Sequence, residues 1–331
     1  MTRAAVKNSR RQFIAAAAAV LALPRAAQAA RRAARIAPAP RTTEQALPWI
    51  AARSGLYAGL DLEVDFAPAG DGSAALAALL DGQAQLAYSG IAPLAQSSLA
   101  GADPVFVATI LEPNKGGFLV SVPEIREPQQ LDGIRVGALS RDGPSAQSAA
   151  AVLARAGAKV ALVVHDSFDS IYAALEARSI QAGWLPVDLS LKGRTAHGWN
   201  AFEGVRLTLP GGYATSRRLI AADRSLVEAM VKGIVAAIHA FKTRPAETAA
   251  LLQRLLGVAP AVAADLQAFY APLFRQAPAP SLYFGLPALR ASLQTRYPAA
   301  ARMQAVDLTD SSIVDALAQS GYIARLYAGS R

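Results

Sequence analysis

From about residue 60 to residue 187 the chain repeats one pattern, a short β-run followed by a helical run, and this restricts it to folds built from α/β units. Leu60, Leu62, Val64 and Phe66 alternate with polar or small residues, as a half-buried strand requires. The pattern then predicts a helix over 73–81, a strand over 85–89, a helix over 93–100 and a strand over 105–110. A second series follows, with strands over 118–122 and 134–139, a helix over 145–156, a strand over 160–164, a helix over 170–177 and a strand over 182–187. Strands separated by helices predict largely parallel sheets. A chain of 331 residues is too long for one small domain, so two lobes are expected.

An internal echo supports the doubling. Ala77-Ala78-Leu79 runs through Gln83-Ala84 into Leu86-Ala87-Tyr88-Ser89, and Ala173-Ala174-Leu175 runs through Gln181-Ala182 into Gly183-Trp184-Leu185-Pro186. Each copy follows an aspartate, Asp71 or Asp169, and a serine, Ser73 or Ser170, at the predicted helix start. After Gly211-Gly212-Tyr213 the character becomes almost wholly helical. Leu226, Met230, Ile234, Ile238 and Phe241 mark one face of a long helix that stops before Pro245, and further helical runs are punctuated by Gly257, Pro278, Pro280 and Gly321.

The first thirty residues read as an address. Ser9-Arg10-Arg11-Gln12-Phe13-Ile14 precedes the apolar stretch Ala15 to Leu23, which is shorter than the roughly 18 residues needed to span a bilayer. Ala27-Gln28-Ala29 then supplies a small-x-small cleavage site, the layout of a twin-arginine export signal. The formal net charge is +9, but Arg3, Lys7, Arg10, Arg11 and Arg25 lie within residues 1–29 with no acidic residue among them. More than half of the excess therefore leaves with the signal, and Arg31, Arg32 and Arg35 are read as a loose basic end beyond it. No basic stripe interleaved with aromatics remains, so nucleic acid is not an expected partner. Cysteine is absent, which removes disulfides, thiolate metal sites, cysteine nucleophiles and the lipid anchor of a lipoprotein.

The segment Trp49-Ile50-Ala51-Ala52 through Gly55-Leu56-Tyr57 to Gly59-Leu60-Asp61-Leu62-Glu63-Val64 resembles the opening of substrate-binding proteins for nitrate, alkanesulfonates, taurine and thiamine precursors. Ala78-Leu79 with Gly82-Gln83 and Ser89-Gly90, then Leu131-Asp132-Gly133-Ile134-Arg135-Val136-Gly137, Ala174-Leu175 with Gln181-Ala182, and Pro245-Ala246-Glu247 follow in that family's order. The resemblance covers nearly everything from about residue 36 onward and implies the two-lobed periplasmic-binding-protein fold of type II. Each lobe would be a mostly parallel sheet flanked by helices: a signal at 1–29, lobe one from 30–117 and again 211–331 with the C-terminal helices, and lobe two at 118–210. It implies a periplasmic, monomeric component of an ABC importer that binds a small organic anion or vitamin-precursor-like molecule and docks on an inner-membrane permease. Two departures stand out. The family's aspartate after its Gly-Gln pair is replaced at the two positions read as equivalent, Gln85 and Gly183, and the first strand, Ile36-Ala37-Pro38-Ala39-Pro40, is interrupted by prolines.

No catalytic or cofactor site is expected. His165, His197 and His239 lack metal spacing, Gly-x-Ser-x-Gly is absent, and Gly70-Asp71-Gly72-Ser73 lacks the Gly-Lys-Ser/Thr ending of a phosphate loop. The rival classes are an enzyme related to thiamine-pyrimidine synthases, whose cysteine-rich segment this chain lacks, and a ligand sensor without a transporter. The ligand is expected at loops following strands, where helix N-termini present free N–H groups. These loops offer Gly72 and Ser73, Ser89 and Gly90, Ser140, Arg141 and Ser145, the Trp184–Asp188 segment with Trp184, and Arg41 with Thr42 in the Arg41-Thr42-Thr43 run after the first strand. Arg141 is the candidate partner for an anionic group, and Trp184 for a planar ring. Glycines near the crossings at 115–118 and 209–212 are read as hinge points.

Replacing Arg10 and Arg11 by lysine is expected to strand the protein in the cytoplasm, with the exported form beginning near Ala30. Fractionation and N-terminal sequencing check both, and unchanged export of the double variant would rule out the twin-arginine route.

Overall fold

The structure is a computed structural model that describes residues 31–38, 42–67, 69, 71–111, 117–139, 144–203, 211–281 and 286–329. The signal segment, Arg41, Ser140, Arg141 and part of both crossing segments lie outside them.

The first strand, β1 (Arg32–Ala37), turns Ala34 and Ile36 inward and ends at Pro38, which has no N–H to continue a ladder. The strand therefore lies ahead of the prolines, and the arginines read as a loose end belong to it in part. Arg35 sits in β1 and pairs with Asp65 at 2.9 Å on the neighbouring strand β2 (Leu62–Phe66). Strands β3 (Leu86–Gly90), β4 (Pro104–Ala108) and β10 (Gly211–Ser216) complete the first sheet, in the order β2-β1-β3-β10-β4. The second sheet runs β7-β6-β8-β5-β9, from β5 (Gly117–Ser121), β6 (Arg135–Ala138), β7 (Ala161–Val164), β8 (Ala182–Pro186) and β9 (Asn200–Glu203).

Both sheets obey one plan. Parallel pairs join β1 to β3 and β6 to β8, and in each sheet the strand beyond that pair is antiparallel, β10 in the first and β5 in the second. These antiparallel strands are the first strands after each passage of the chain between sheets, so the two passages place matching strands at matching positions.

The internal echo is real, with Ala77–Leu79 matching Ala173–Leu175 as read, but the glutamine match shifts by two residues. Helix α2 (Gly72–Leu80) and helix α5 (Phe168–Glu176) end in the same turn: the carbonyls of Ala78 and Ala174 each accept two N–H groups, from Gln83 and Ala84 and from Ser179 and Ile180. The left-handed residue of that turn is Gly82 in one copy (φ 75°) and Arg178 in the other (φ 56°). The true counterpart of Gln181 is then Gln85, not Gln83. Gln85 Oε1 accepts from the Arg35 N–H at 2.7 Å, and Gln181 Oε1 accepts from the Arg135 N–H at 3.2 Å. The helix starts also match, but at Asp71 and Ser167 rather than at Asp71 and Asp169. Asp71 caps its helix through Ala74 N–H, and in the second copy Ser167 is the cap and Asp169 lies inside the first turn.

Helices α1 (Leu47–Arg53), α3 (Ile91–Leu99), α4 (Pro144–Ala156) and α6 (Val187–His197) cover the sheets. The sequence pattern did not separate α6 and β9 from their surroundings. The long helix α7 (Arg217–Thr243) begins nine residues before the periodic face at Leu226, because Asp223 adopts a non-helical φ/ψ and its carboxylate accepts the Leu226 N–H at 3.2 Å, restarting the helix. Helices α8 (Pro245–Leu256) and α9 (Pro260–Tyr270) follow, then α10 (Leu286–Leu293) and α11 (Ala305–Leu308). The C-terminal helical run breaks at Gly321 (φ 72°), one of the residues read as punctuation, into α12 (Ser312–Gln319) and α13 (Tyr322–Ala328).

One face of the first sheet carries Ile36, Leu86, Tyr88, Val105, Val107 and Tyr213 into a core with α1, α7, α8, α9 and α12. Its other face packs Ala37, Ala87, Phe106 and Ala214 against α2, α3 and α10. The second sheet has its own core around Leu119, Val136, Ile171 and Trp184. Gly211 and Gly212, expected to permit hinge rotation, are extended residues of β10 paired with Gly90 and Ser89. Their smallness is used for packing: a Cβ on Gly211 would lie 2.7 Å from the Tyr88 hydroxyl, and one on Gly212 would lie 2.7 Å from the Ala108 carbonyl oxygen.

Gly233 on α7 faces the ring of the buried Tyr57, where any Cβ would overlap the aromatic carbons. Alanine in a helix interior ordinarily gains about 1 kcal/mol over glycine, whereas overpacking costs about 1–3 kcal/mol. Gly233→Ala is expected to lower unfolding stability by about 1–2 kcal/mol in denaturant titrations. Gly59→Ala, whose Cβ meets no atom within 4 Å, serves as the control.

Candidate functional site

The loop after β1 and the start of α6 meet. Thr42 is extended (φ −124°, ψ 165°) and leads into a one-turn 3-10 helix, Thr43–Gln45. This turn brings the Thr43 N–H and hydroxyl to Asp188 Oδ1, at 3.0 and 2.6 Å. Asp188 is the second residue of α6, directly after the strand β8 of the second sheet. It is held there because α6 buries Val187 and Leu191 in the core of the first sheet, while the Ser190 hydroxyl donates back to the Leu185 and Pro186 carbonyls at 3.1 and 2.9 Å.

Glu44 extends the cluster. Its Oε2 accepts from the Tyr88 hydroxyl of β3 at 3.2 Å, and the Tyr270 hydroxyl of α9 lies 3.5 Å from its Oε1 while donating to Asp188 Oδ2 at 3.0 Å. Strand β3, the turn after β1, α6 and α9 thus converge on two carboxylates, each partly accessible to solvent. Among the described residues no lysine, arginine or histidine is ion-paired with either of them.

Burial raises the Glu44 pKa to about 7, the Asp188 charge adds to that, and the Tyr88 and Tyr270 hydroxyls oppose it. Asp188 is raised as well, chiefly by burial, against the pull of its Thr43 and Tyr270 hydrogen bonds. Tyr88, Tyr213 and Tyr270 are pushed up by burial and stay neutral. Two facing carboxylates in such a site titrate as a pair and hold one proton more readily than either would alone.

A second convergence lies at the C-terminal end of β3, the end at which the turn after the parallel strand β1 also leaves the sheet. Gly72 and Ser73 open α2, and the α-carbon of Gly72 sits so close to β3 that a Cβ there would be 3.4 Å from both Gly90 N and Ser89 Cα. Ser89 is fully buried and its hydroxyl reaches the Gly90 carbonyl at 3.3 Å; Gly90 precedes α3. Four expected loop residues, Gly72, Ser73, Ser89 and Gly90, are therefore neighbours. Ser145 lies in the first turn of α4. Trp184 stands on β8 opposite Leu119 and is 3 % exposed within the second sheet's core.

Sequence reasoning placed Thr43 and Asp188 in strand-end loops without giving either a role, and it passed over Glu44, Tyr88 and Tyr270. Glu44 had a usable signal, since it directly follows the loop after the first strand, and Asp188 closes the Trp184–Asp188 loop itself. Tyr270 had none, because a helix distant in sequence brings it in. Among the described residues no three histidine, aspartate or glutamate side chains form a group suited to a metal ion.

Ionising Glu44 in the folded protein is penalised, so its contribution to stability is present below its ordinary pKa of 4.5 and is lost as the pH rises toward 7. Glu44→Gln is therefore expected to gain stability over the parent between pH 5 and pH 8 by about 1–3 kcal/mol, read by denaturant unfolding at both values. A difference independent of pH would mean that Glu44 ionises without penalty.

Solved structures share this architecture. The periplasmic aliphatic sulphonate binding protein SsuA of Escherichia coli superposes with a TM-score of 0.62 at 17% identity, over 80% of this chain and 87% of its own. The alkanesulfonate-binding protein SsuA of Xanthomonas axonopodis pv. citri, bound to MOPS, gives 0.59 at 18% identity, over 86% and 96%. A cysteine-to-serine mutant of DszB in complex with biphenyl-2-sulfinic acid gives 0.63 at 14% identity, over 86% and 99%. Identities this low establish the fold, which is that of the periplasmic binding proteins. No curated protein matches the chain in sequence. A family model does match, that of the NMT1/THI5-like proteins, over residues 43–248. That span begins at Thr43, takes in both carboxylates and every strand except β1, and covers more than half of the chain, so the protein belongs to the NMT1/THI5-like family.

Proposed function

We propose that the protein is the extracytoplasmic solute-binding component of an ABC importer, taking a small organic molecule between its two lobes. The observation that carries this reading is the polar cluster itself. Residues of the first sheet and the start of α6 meet around ionisable groups, and the chain contains no cysteine. The sulfonate-binding neighbours support it by fold. The likeness to the DszB mutant does not carry a thiol mechanism over, because this chain contains no cysteine at all. Export through Arg10 and Arg11, a periplasmic location, a monomeric state and delivery to an inner-membrane permease complete the proposal. Ser89, Gly90, Gly72 and Ser73, with Arg41, Thr42, Ser140, Arg141 and Ser145, remain its candidate contacts, and Arg141 its candidate partner for an acidic group on the solute.

Binding between two sheets joined by only two chain passages couples affinity to closure, since a ligand favours the closed form by its differential affinity for it. Small-angle scattering is expected to show a smaller radius of gyration on addition of a compound selected by an unbiased thermal-shift screen. A radius that stays the same with a bound compound would point to a rigid pocket and a different mode of delivery.

A further inference from the structure

Glu44 and Asp188 already take the donors that the described residues aim at them, the Thr43 N–H and hydroxyl and the Tyr88 and Tyr270 hydroxyls. All of these donors are neutral. Two carboxylates in protein-crowded space keep a demand for positive charge that neutral donors cannot meet. A second, independent feature points to the same space. Tyr213 is the cross-strand partner of Tyr88 on the same face of the first sheet, their rings stand edge to face at 5.3 Å, and its hydroxyl feels first Tyr57 and then the Glu44 charge. That hydroxyl is fully buried and has no hydrogen-bond partner among the described residues. Buried hydroxyls are almost always partnered, so one left open beside a charged pair marks a place for a group supplied from outside.

Resting on the solute-binding reading above, we propose that this end of the interlobe space receives a protonated nitrogen of the solute, an ammonium or amidinium group, held by Glu44 and Asp188 with the Tyr213 oxygen accepting one of its N–H bonds. Charge-assisted hydrogen bonds from such a group would neutralise the pair. A sulfonate placed here would face two carboxylates and be repelled, so an acidic group of the same solute belongs elsewhere in the cleft. Proton and cation compete for the site. The groups facing Glu44 are Asp188 from α6, Tyr270 from α9, and Tyr88 and Tyr213 from the first sheet. The three tyrosines stay neutral, so the carboxylates alone change charge and cation affinity falls as the pH drops below about 7.

Calorimetric titration of the purified protein with benzamidine, its neutral isostere benzamide and ethanesulfonate tests the assignment. Benzamidine is expected to bind about tenfold more tightly at pH 8.5 than at pH 5.5, and Glu44→Gln and Asp188→Asn are each expected to weaken it about tenfold or more. Tyr213→Phe gives up no hydrogen bond in the free protein and is expected to weaken benzamidine a few-fold, which keeps the test open if a carboxylate variant misfolds. Benzamide should not bind. Benzamidine affinity untouched by all three variants overturns the proposal, as do failure of benzamidine to bind and equally tight binding of benzamide. Displacement of bound benzamidine by ethanesulfonate overturns it too, while leaving the solute-binding reading intact. Failure of that broader reading would instead show as the absence of any compound that stabilises the protein in the thermal-shift screen.

Discussion

Helix Val187–His197 starts at the end of a strand of the second sheet, yet the residues it buries, Val187 and Leu191, lie in the core of the first. Burying two such side chains gives on the order of 3–6 kcal/mol, ample to hold the helix on the far core. The geometry of the candidate site follows from that. With the helix fixed there, Asp188 at its first turn comes within hydrogen-bond distance of the Thr43 backbone, and Glu44 one residue on falls beside it. The exposed Arg194–Asp265 pair adds a second link between this helix and Pro260–Tyr270 at 3.2 Å, but a pair so open to solvent contributes little. Apolar packing sets the position, and the polar contacts refine it.

The same contacts put chemistry and packing in tension. Glu44 and Asp188 sit where burial disfavours their charge, and each neutral donor around them relieves only part of the penalty. A purely structural role would be served better by apolar residues of similar volume. Retaining two carboxylates, a ring of tyrosines and an open hydroxyl is what a recognition site looks like, and it shifts attention from the serines and glycines at the strand ends toward the charged residues one or two positions further along. Gly211 and Gly212 fit this picture. They let β10 approach Tyr88 and Ala108 closely, so substitution there would displace the tyrosine that bonds Glu44 rather than act on a distant hinge.

The doubled architecture shows how loosely sequence must be kept to preserve a plan. The two sheets share a strand order, and the helix-to-strand turn is reproduced hydrogen bond for hydrogen bond, with Gln85 and Gln181 reaching back to matching N–H groups. Yet the left-handed residue of that turn is glycine in one copy and arginine in the other. An arginine there costs about 1–2 kcal/mol, which the buried turn around it outweighs.

The sequence alone determined the class of fold. Strand and helix periodicities are local, each set by which side chains must face inward, and so the alternation up to residue 187, the long apolar face from Leu226 to Phe241 and the break at Gly321 could all be read from the chain. It determined as well, by the absence of cysteine, that no thiol chemistry is available. Register was less legible. Two glutamines at Gln83 and Gln85 compete for the match with Gln181, and only the backbone bonds to Arg35 and Arg135 decide between them. The site belonged to the tertiary structure. Thr43, Glu44, Tyr88, Asp188 and Tyr270 are scattered along the chain, and nothing in the spacing of five such residues says that they meet. Their meeting depends on where a helix from one sheet finds apolar surface on the other, a long-range packing decision that no local pattern encodes.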